Sequence, residues 1–173
     1  SLAHTYSDNN EVFIITGDWD ILQCINENVE VWLTKKGFTI YNRYTLDRFK
    51  NEYGLEPKQL IDVKAFMGDT ADGYPGVKGI GEKTAIKLIQ NHHSVENVIQ
   101  NISTLIPAQQ KKINDNINNL HLSKSLAEIH TQVPLESEQL FNEMAYAHEL
   151  NEILSICNEH ELYVSGKYLA SNF

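Results

Sequence analysis

Apolar residues are spaced along this chain in two ways, and the change comes near residue 44. Before it they form short runs. Val12-Phe13-Ile14-Ile15 is unbroken and stops at Thr16-Gly17, the pattern of a strand buried on both faces of a parallel sheet. Val29-Glu30-Val31-Trp32-Leu33 and Phe38-Thr39-Ile40-Tyr41 flank Lys36-Gly37 and predict a hairpin. Residues 2–6 have the pattern of the tail of a helix. Asp18 stands where it can cap a short helix with Ile21, Leu22 and Ile25 facing inward.

After residue 44 the period is helical. Residues 45–53 close at Gly54, a fitting glycine for a helix C-terminus. Pro57 opens a helix with Leu60, Ile61, Lys64, Ala65 and Met67 at helical spacing. Further helices are predicted over 82–90, 94–101, within 108–127, and over 147–160, the last with Leu150, Ile153, Leu154 and Cys157 on one face. Three strands are too few for a doubly wound sheet. The pattern therefore predicts an α/β remnant, with a short parallel-type sheet over 1–44, followed by a mainly helical region over 45–173. The whole reads as the C-terminal part of a larger domain.

Composition narrows the class. The 173 residues are 42% hydrophobic and 21% charged, the make-up of an ordinary soluble globular protein. No apolar run approaches the roughly 18 to 20 residues of a membrane span, and the N-terminus has no signal-peptide pattern. Cys24 and Cys157 form neither a disulfide framework nor a metal quartet, so a reducing, cytoplasmic setting is expected. Seven scattered histidines show no ligand spacing. A net charge of −9 argues against a general nucleic-acid coat, but the charge is segregated. Six acids and no Lys or Arg lie in 8–30, and seven unopposed acids in 134–161, where a solvated face is expected. Between them, Lys78, Lys83 and Lys87 oppose only Glu82, and Lys111, Lys112 and Lys124 oppose Asp115.

Three constellations could carry chemistry. Gly17-Asp18-Trp19-Asp20 follows a predicted strand, at the carboxyl end where open α/β sheets bind ligands. Alternating acids can converge on a hard cation such as Mg²⁺, or Asp18 can simply cap a helix while Asp20 supports its dipole. In Met67-Gly68-Asp69-Thr70-Ala71-Asp72-Gly73-Tyr74-Pro75-Gly76 two acids sit at a helix C-terminus. The helix dipole disfavours them there by roughly 0.3–1 kcal/mol each, and a bound cation would reverse this; a plain polar loop is the other reading. Gly76-Val77-Lys78-Gly79-Ile80-Gly81-Glu82-Lys83-Thr84-Ala85 places glycines and lysines before a helix N-terminus, where free amides favour a phosphate. It matches neither a Walker loop nor a dinucleotide fingerprint. It reads either as helix–hairpin–helix or as a glycine-rich interhelical turn. Trp19 and Tyr74 can stack on a base or ribose, or pack.

Taken together, these three segments resemble the bacterial 5′→3′ exonuclease family, the relatives of the N-terminal domain of DNA polymerase I and of flap endonucleases. The similarity runs from about residue 11 to 134 and is strongest over 66–89. The resemblance implies a two-metal site of Asp18, Asp20, Asp69 and Asp72 holding Mg²⁺ or Mn²⁺, which hydrolyses DNA phosphodiesters. It implies a helix–hairpin–helix over about 58–90 that grips duplex DNA near a 5′ end, nick or flap without reading sequence. Lys78, Gly79, Gly81, Lys83, Thr84 and Lys87 would face the phosphates, and the carbonyls of Val77 and Ile80 would hold a K⁺. Gly73 stands where the family usually has Asn. The family's remaining acids, ending in a Glu-Ala-Asp-Asp stretch, and its helical arch precede the position matching Ser1, so little nuclease activity is expected of this chain alone. The other functional class is a non-catalytic duplex-binding module built on the hairpin. A third, an unrelated metal-dependent phosphohydrolase using Asp18 and Asp20, leaves the hairpin unexplained.

Overall fold

Strand β1 (Val12–Thr16) pairs in parallel with β2 (Val29–Lys36), and β2 pairs antiparallel with β3 (Ile40–Tyr44), giving a three-stranded sheet in the order β1-β2-β3. The computed structural model describes residues 1–36, 40–135, 137–144 and 149–172. The β2–β3 hairpin agrees with the sequence pattern, although Phe38 and Thr39 of its predicted second arm lie outside the described residues. Register sorts the side chains between two faces. Ile14 sits opposite Val31, which sits opposite Tyr44, and these turn toward the core; Phe13 and Ile15 share the other face with Glu30 and Trp32.

The expectation of a doubly buried first strand does not hold. Phe13 is 50% and Ile15 54% exposed, because among the described residues β1 has one sheet neighbour and no layer covers its outer face. Phe13 meets Trp32 edge-on at 5.7 Å, and Arg43 lies over Trp32 while pairing with Glu30 at 2.6 Å. An apolar strand edge of this kind is a template for further pairing. Ile15→Lys is expected to reduce concentration-dependent self-association in sedimentation velocity; unchanged association would place the contact elsewhere.

The helices follow their local signals closely. A short α1 (Leu2–Tyr6) precedes the sheet. In α2 (Leu46–Tyr53) the Thr45 hydroxyl accepts from Arg48 N at 3.2 Å, and Gly54 closes the helix at φ +62. Pro57 opens a single 3₁₀ turn, Pro57–Gln59, so that α3 (Leu60–Met67) begins three residues later than the proline suggests. Leu60, Asp62, Val63, Lys64, Ala65 and Phe66 of α3 are all buried, and a helix buried around so much of its circumference is central to a core. Around it lie α4 (Glu82–His92), α5 (Val95–Gln100), α6 (Pro107–Asp115) and α7 (Ile117–Ala127). Leu22, Val31 and Tyr44 share one core with Phe49, Phe66, Ile89, Ile113 and Leu120, so the change at residue 44 is one of secondary structure within a common core. Lys124 bridges Asp62 and Glu96, both at 2.8 Å, tying α7 to α3 and α5.

Contacts divide the chain into two compact units, Ser1–Val133 and Pro134–Phe173. The second holds α8 (Ser137–Glu143), α9 (Leu150–Glu159) and α10 (Tyr163–Asn172). In α9 Cys157 is buried, with Leu150, Ile153 and Leu154 half-buried beside it, and the described acids of 149–161 are exposed, as the pattern predicts. Residues 147–148 of the predicted helix lie outside the described residues. Among the described residues no helix is long and apolar enough to cross a membrane.

Candidate acidic centre and glycine turn

Two segments meet at the acidic centre. The first leaves β1 at Gly17. Asp18 accepts from Asp20 N at 2.9 Å and caps a 3₁₀ helix, Trp19–Cys24. Asp20, in the first turn, is half-buried and lies 2.6 Å from Lys64 Nζ through Oδ1. The second segment leaves α3 at Gly68 and turns back at once. Asp69 N donates to Tyr74 O at 2.9 Å and Tyr74 N to Asp69 O at 3.0 Å. Inside that turn Asp69 Oδ1 accepts from Ala71 N and Asp72 N, while Oδ2 pairs with Lys64 Nζ. Carboxylate oxygens of Asp20, Asp69 and Asp72 all lie within 4.8 Å of one another. Of the four acids singled out in the sequence, three therefore converge, while Asp18 uses a carboxylate oxygen as a helix cap.

Lys64 is the residue of this centre that motif reasoning passes over. Its side chain is 6% exposed and it pairs with both Asp20 and Asp69. The signal was a lysine on the apolar face of a predicted helix. Burial alone would lower its pKa, but the bonds to Asp20 and Asp69 outweigh this and hold it above the usual lysine range. Asp69 is held below the ordinary carboxylate range, chiefly by Lys64. Asp20 is raised, because burial outweighs the same lysine and Asp18 and Asp69 add repulsion.

The donor set suits a hard cation. It offers three carboxylates and no soft ligand. Asp20 Oδ1 is buried with no partner beyond its ion pair to Lys64, and a carboxylate oxygen has a further lone pair to offer.

A tight backbone crossing holds the turn in place. Gly68 (φ +73) and Gly76 (φ +59) pass so close that a Cβ on Gly76 would lie 2.3 Å from Gly68 N. Val77 N then donates to Phe66 O at 2.8 Å, and Gly76 N to the buried Ser123 hydroxyl at 2.9 Å. Gly73, the departure from the family pattern, has φ +77 and open space where a Cβ would go; asparagine is the side chain that most readily adopts such a backbone.

Beyond the crossing, Ile80 N donates to Val77 O at 3.0 Å to close a second turn, with Gly79 at φ +82. The side chains of Val77 and Ile80 are buried, so that Lys78 and Gly79 stand out between them. Lys112 of α6, which the motifs did not single out, donates to Gly79 O at 2.8 Å. Gly81 starts α4 without a side-chain cap. Lys83 and Lys87 are exposed and Thr84 is half-buried.

Comparison with known proteins bears on this arrangement. Residues 55–149, more than half the chain, match the family model described as 5′-3′ exonuclease, C-terminal SAM fold. The chain is 46% identical over 135 residues to a 5′-3′ exonuclease of Bacillus subtilis, covering 78% of this chain and 46% of that protein. It is 42% identical over 139 residues to a DNA polymerase I of Lactococcus lactis, covering 78% of this chain and 16% of the polymerase. It thus spans about half the length of the first relative and a smaller part of the second. Among solved structures, a T5 5′-exonuclease with bound zinc has a TM-score of 0.62 at 22% identity, covering 73% of this chain and 46% of that one. A T5 flap endonuclease in complex with DNA and metal ions also gives 0.62, at 21% identity, covering 73% of this chain and 46% of that one. These structural likenesses speak for the fold. The family match places its region over the Asp69–Asp72 turn and the glycine turn, so the chain belongs to the 5′-3′ exonuclease family and carries its C-terminal SAM-fold region.

Proposed function

We propose that this chain is the duplex-holding and metal-completing part of a Mg²⁺-dependent 5′-3′ nuclease that acts on DNA ends, nicks or flaps. The observation that carries this reading is the convergence of Asp20, Asp69 and Asp72, in a member of this family, with the lysine-bearing glycine turn following in the same loop. Asp20, Asp69 and Asp72 would hold divalent cations, while Asp18 caps the helix that carries Asp20. Bound there, such ions activate a water and stabilise the leaving oxygen of a phosphodiester.

The chain's own contribution is positioning. The segment from α3 to α4 acts as the helix–hairpin–helix: Lys78, Lys83 and Lys87 supply charge, and the amides around Gly79, Gly81 and Lys83 offer donors to backbone phosphates. The buried side chains of Val77 and Ile80 anchor that turn. Because the centre has three converging acids, cleavage by this chain alone is expected to be weak, while binding is retained.

The test is fluorescence anisotropy with a labelled 5′-flap duplex across a salt series. With about three phosphate contacts, the slope of log K against log[salt] is expected near −3, and Lys83→Ala should reduce it by about one on every sequence. Strong base preference without a salt slope would sink the reading. A duplex-binding module with idle acids would bind DNA equally but take up no Mn²⁺.

A further inference from the structure

Among the described residues, two buried side-chain polar atoms have no hydrogen-bond partner: Asp20 Oδ1 and the Tyr74 hydroxyl oxygen. Orphaned buried groups are rare in folded proteins, and each calls for a cause. Asp20 at least has its ion pair with Lys64. The Tyr74 hydroxyl has no such compensation, and Tyr74 is 4% exposed. That burial removes it from the stacking role left open by the sequence.

The backbone fixes which way Tyr74 points. Asp69 and Tyr74 exchange both N–H···O bonds as a directly opposed antiparallel pair, and residues so paired send their side chains to the same side of the ribbon. Asp69 uses that side to reach Lys64 and to approach Asp20 and Asp72. The longer tyrosine runs alongside it into the same group of charges.

We propose that Tyr74 is a positioning residue of the acidic centre, its hydroxyl oxygen accepting a hydrogen bond from a water on a divalent cation held by Asp20, Asp69 and Asp72. This rests on the acidic centre being a cation site, as proposed above. A water bound through its oxygen has only hydrogens left to offer, and it needs an acceptor. Carboxylates that ligate the ion are committed to it. A buried phenol oxygen accepts from that water and orients it without adding charge. Mg²⁺ in particular keeps several of its waters, so partners for those waters contribute to affinity, as outer hydrogen bonds do at metal sites generally.

The experiment compares wild type, Tyr74→Phe and Asp72→Asn in the 173-residue chain. Phenylalanine keeps the ring and its packing, and unfolding followed by tryptophan fluorescence verifies the fold. Mn²⁺ affinity, by titration calorimetry, is expected to fall about ten-fold in Tyr74→Phe. Mg²⁺ is expected to produce a near-ultraviolet tyrosine difference spectrum in wild type and none in the same variant. Unchanged Mn²⁺ affinity, or a difference spectrum that survives the substitution, overturns the role of Tyr74. If wild type takes up no Mn²⁺, or Asp72→Asn binds it as well as wild type does, the cation site itself falls, and Tyr74's role with it.

Discussion

Gly76→Ala is expected to destabilise the Ser1–Val133 unit severely, by more than about 4 kcal/mol. The added Cβ would stand 2.3 Å from Gly68 N and 2.7 Å from both Met67 C and Phe66 O. All three are backbone atoms at the end of a buried helix, so no side chain can rotate out of the way. The left-handed φ of +59 adds roughly 1–2 kcal/mol for any non-glycine residue. Relief requires pulling the crossing apart. That costs the Val77 N to Phe66 O bond and the Gly76 N to Ser123 Oγ bond, and Ser123 is fully buried. Each buried group left unpaired costs about 1–3 kcal/mol. The total exceeds about 4 kcal/mol, against the 5–15 kcal/mol that typically holds a domain together.

Denaturant unfolding followed by tryptophan fluorescence measures this in the right unit, since Trp19 and Trp32 both lie within it. Two glycines nearby serve as controls. Gly81→Ala meets nothing within 4 Å at an ordinary φ and should match wild type. Gly73→Ala meets nothing either but has φ +77, so it should lose only about 1–2 kcal/mol. A Gly76→Ala variant within about 1 kcal/mol of wild type would contradict the account of the crossing. Because the Asp69–Tyr74 turn hangs between Gly68 and Gly76, the same substitution should also disperse the acids.

The contrast among these glycines shows what a sequence discloses. Gly54, Thr45 and Ser94 mark helix ends by themselves, because a cap is decided within a few residues. The Gly68–Gly76 crossing is different: both glycines are visible in the motif, but that each excludes a Cβ on the other depends on how the chain turns between them. The unbroken run Val12–Ile15 states that four apolar residues are adjacent and says nothing of how many strands lie beside them. Its outward residues are exposed because, among the described residues, no layer covers their face of the sheet. Helix α10 gives no helical stripe, since Val164 and Tyr168, 85% and 63% exposed, lie off its packed side, and Gly166 is where it approaches Cys157. In the acidic centre, Asp20, Asp69 and Asp72 were legible as acids in motif positions. Lys64 was legible only as a charged residue on an apolar helix face, because its partners come from two other segments.

That lysine supports the second large expectation, which couples stability to metal. Lys64→Met should destabilise the Ser1–Val133 unit in the presence of a chelator by about 3 kcal/mol, the lower end for breaking a buried ion pair. The lower end applies because Asp20 and Asp69 keep 13% and 20% side-chain exposure. The methionine fills the stem's volume, so what is lost is the charge that neutralises two half-buried carboxylates. The share of the pH dependence that comes from Asp69 should change with it, Asp20 being raised by burial already in wild type. In wild type the folded-state pKa of Asp69 is lowered, chiefly by Lys64. Its contribution to stability is therefore present above the unfolded carboxylate value and fades as pH falls through the lower folded value. Without Lys64 the neighbouring acids repel and burial dominates, so their folded pKa values rise. The folded state then binds protons more tightly than the unfolded state, and the variant's deficit should shrink as pH falls from neutrality toward the raised values. A divalent cation should repair the loss at neutral pH. Lys64 Nζ pairs with Asp20 Oδ1 and Asp69 Oδ2, on two of the three carboxylates that converge. Removing it should raise Mn²⁺ affinity by about ten-fold, if it recovers some 1.4 kcal/mol of competition, and ligand binding to the folded state stabilises it in proportion. Chelator-treated and Mn²⁺-loaded melts of both proteins read all three effects. A variant that binds Mn²⁺ more weakly than wild type, and gains no stability from it, would mean that Lys64 cooperates with the cation instead of standing in for it.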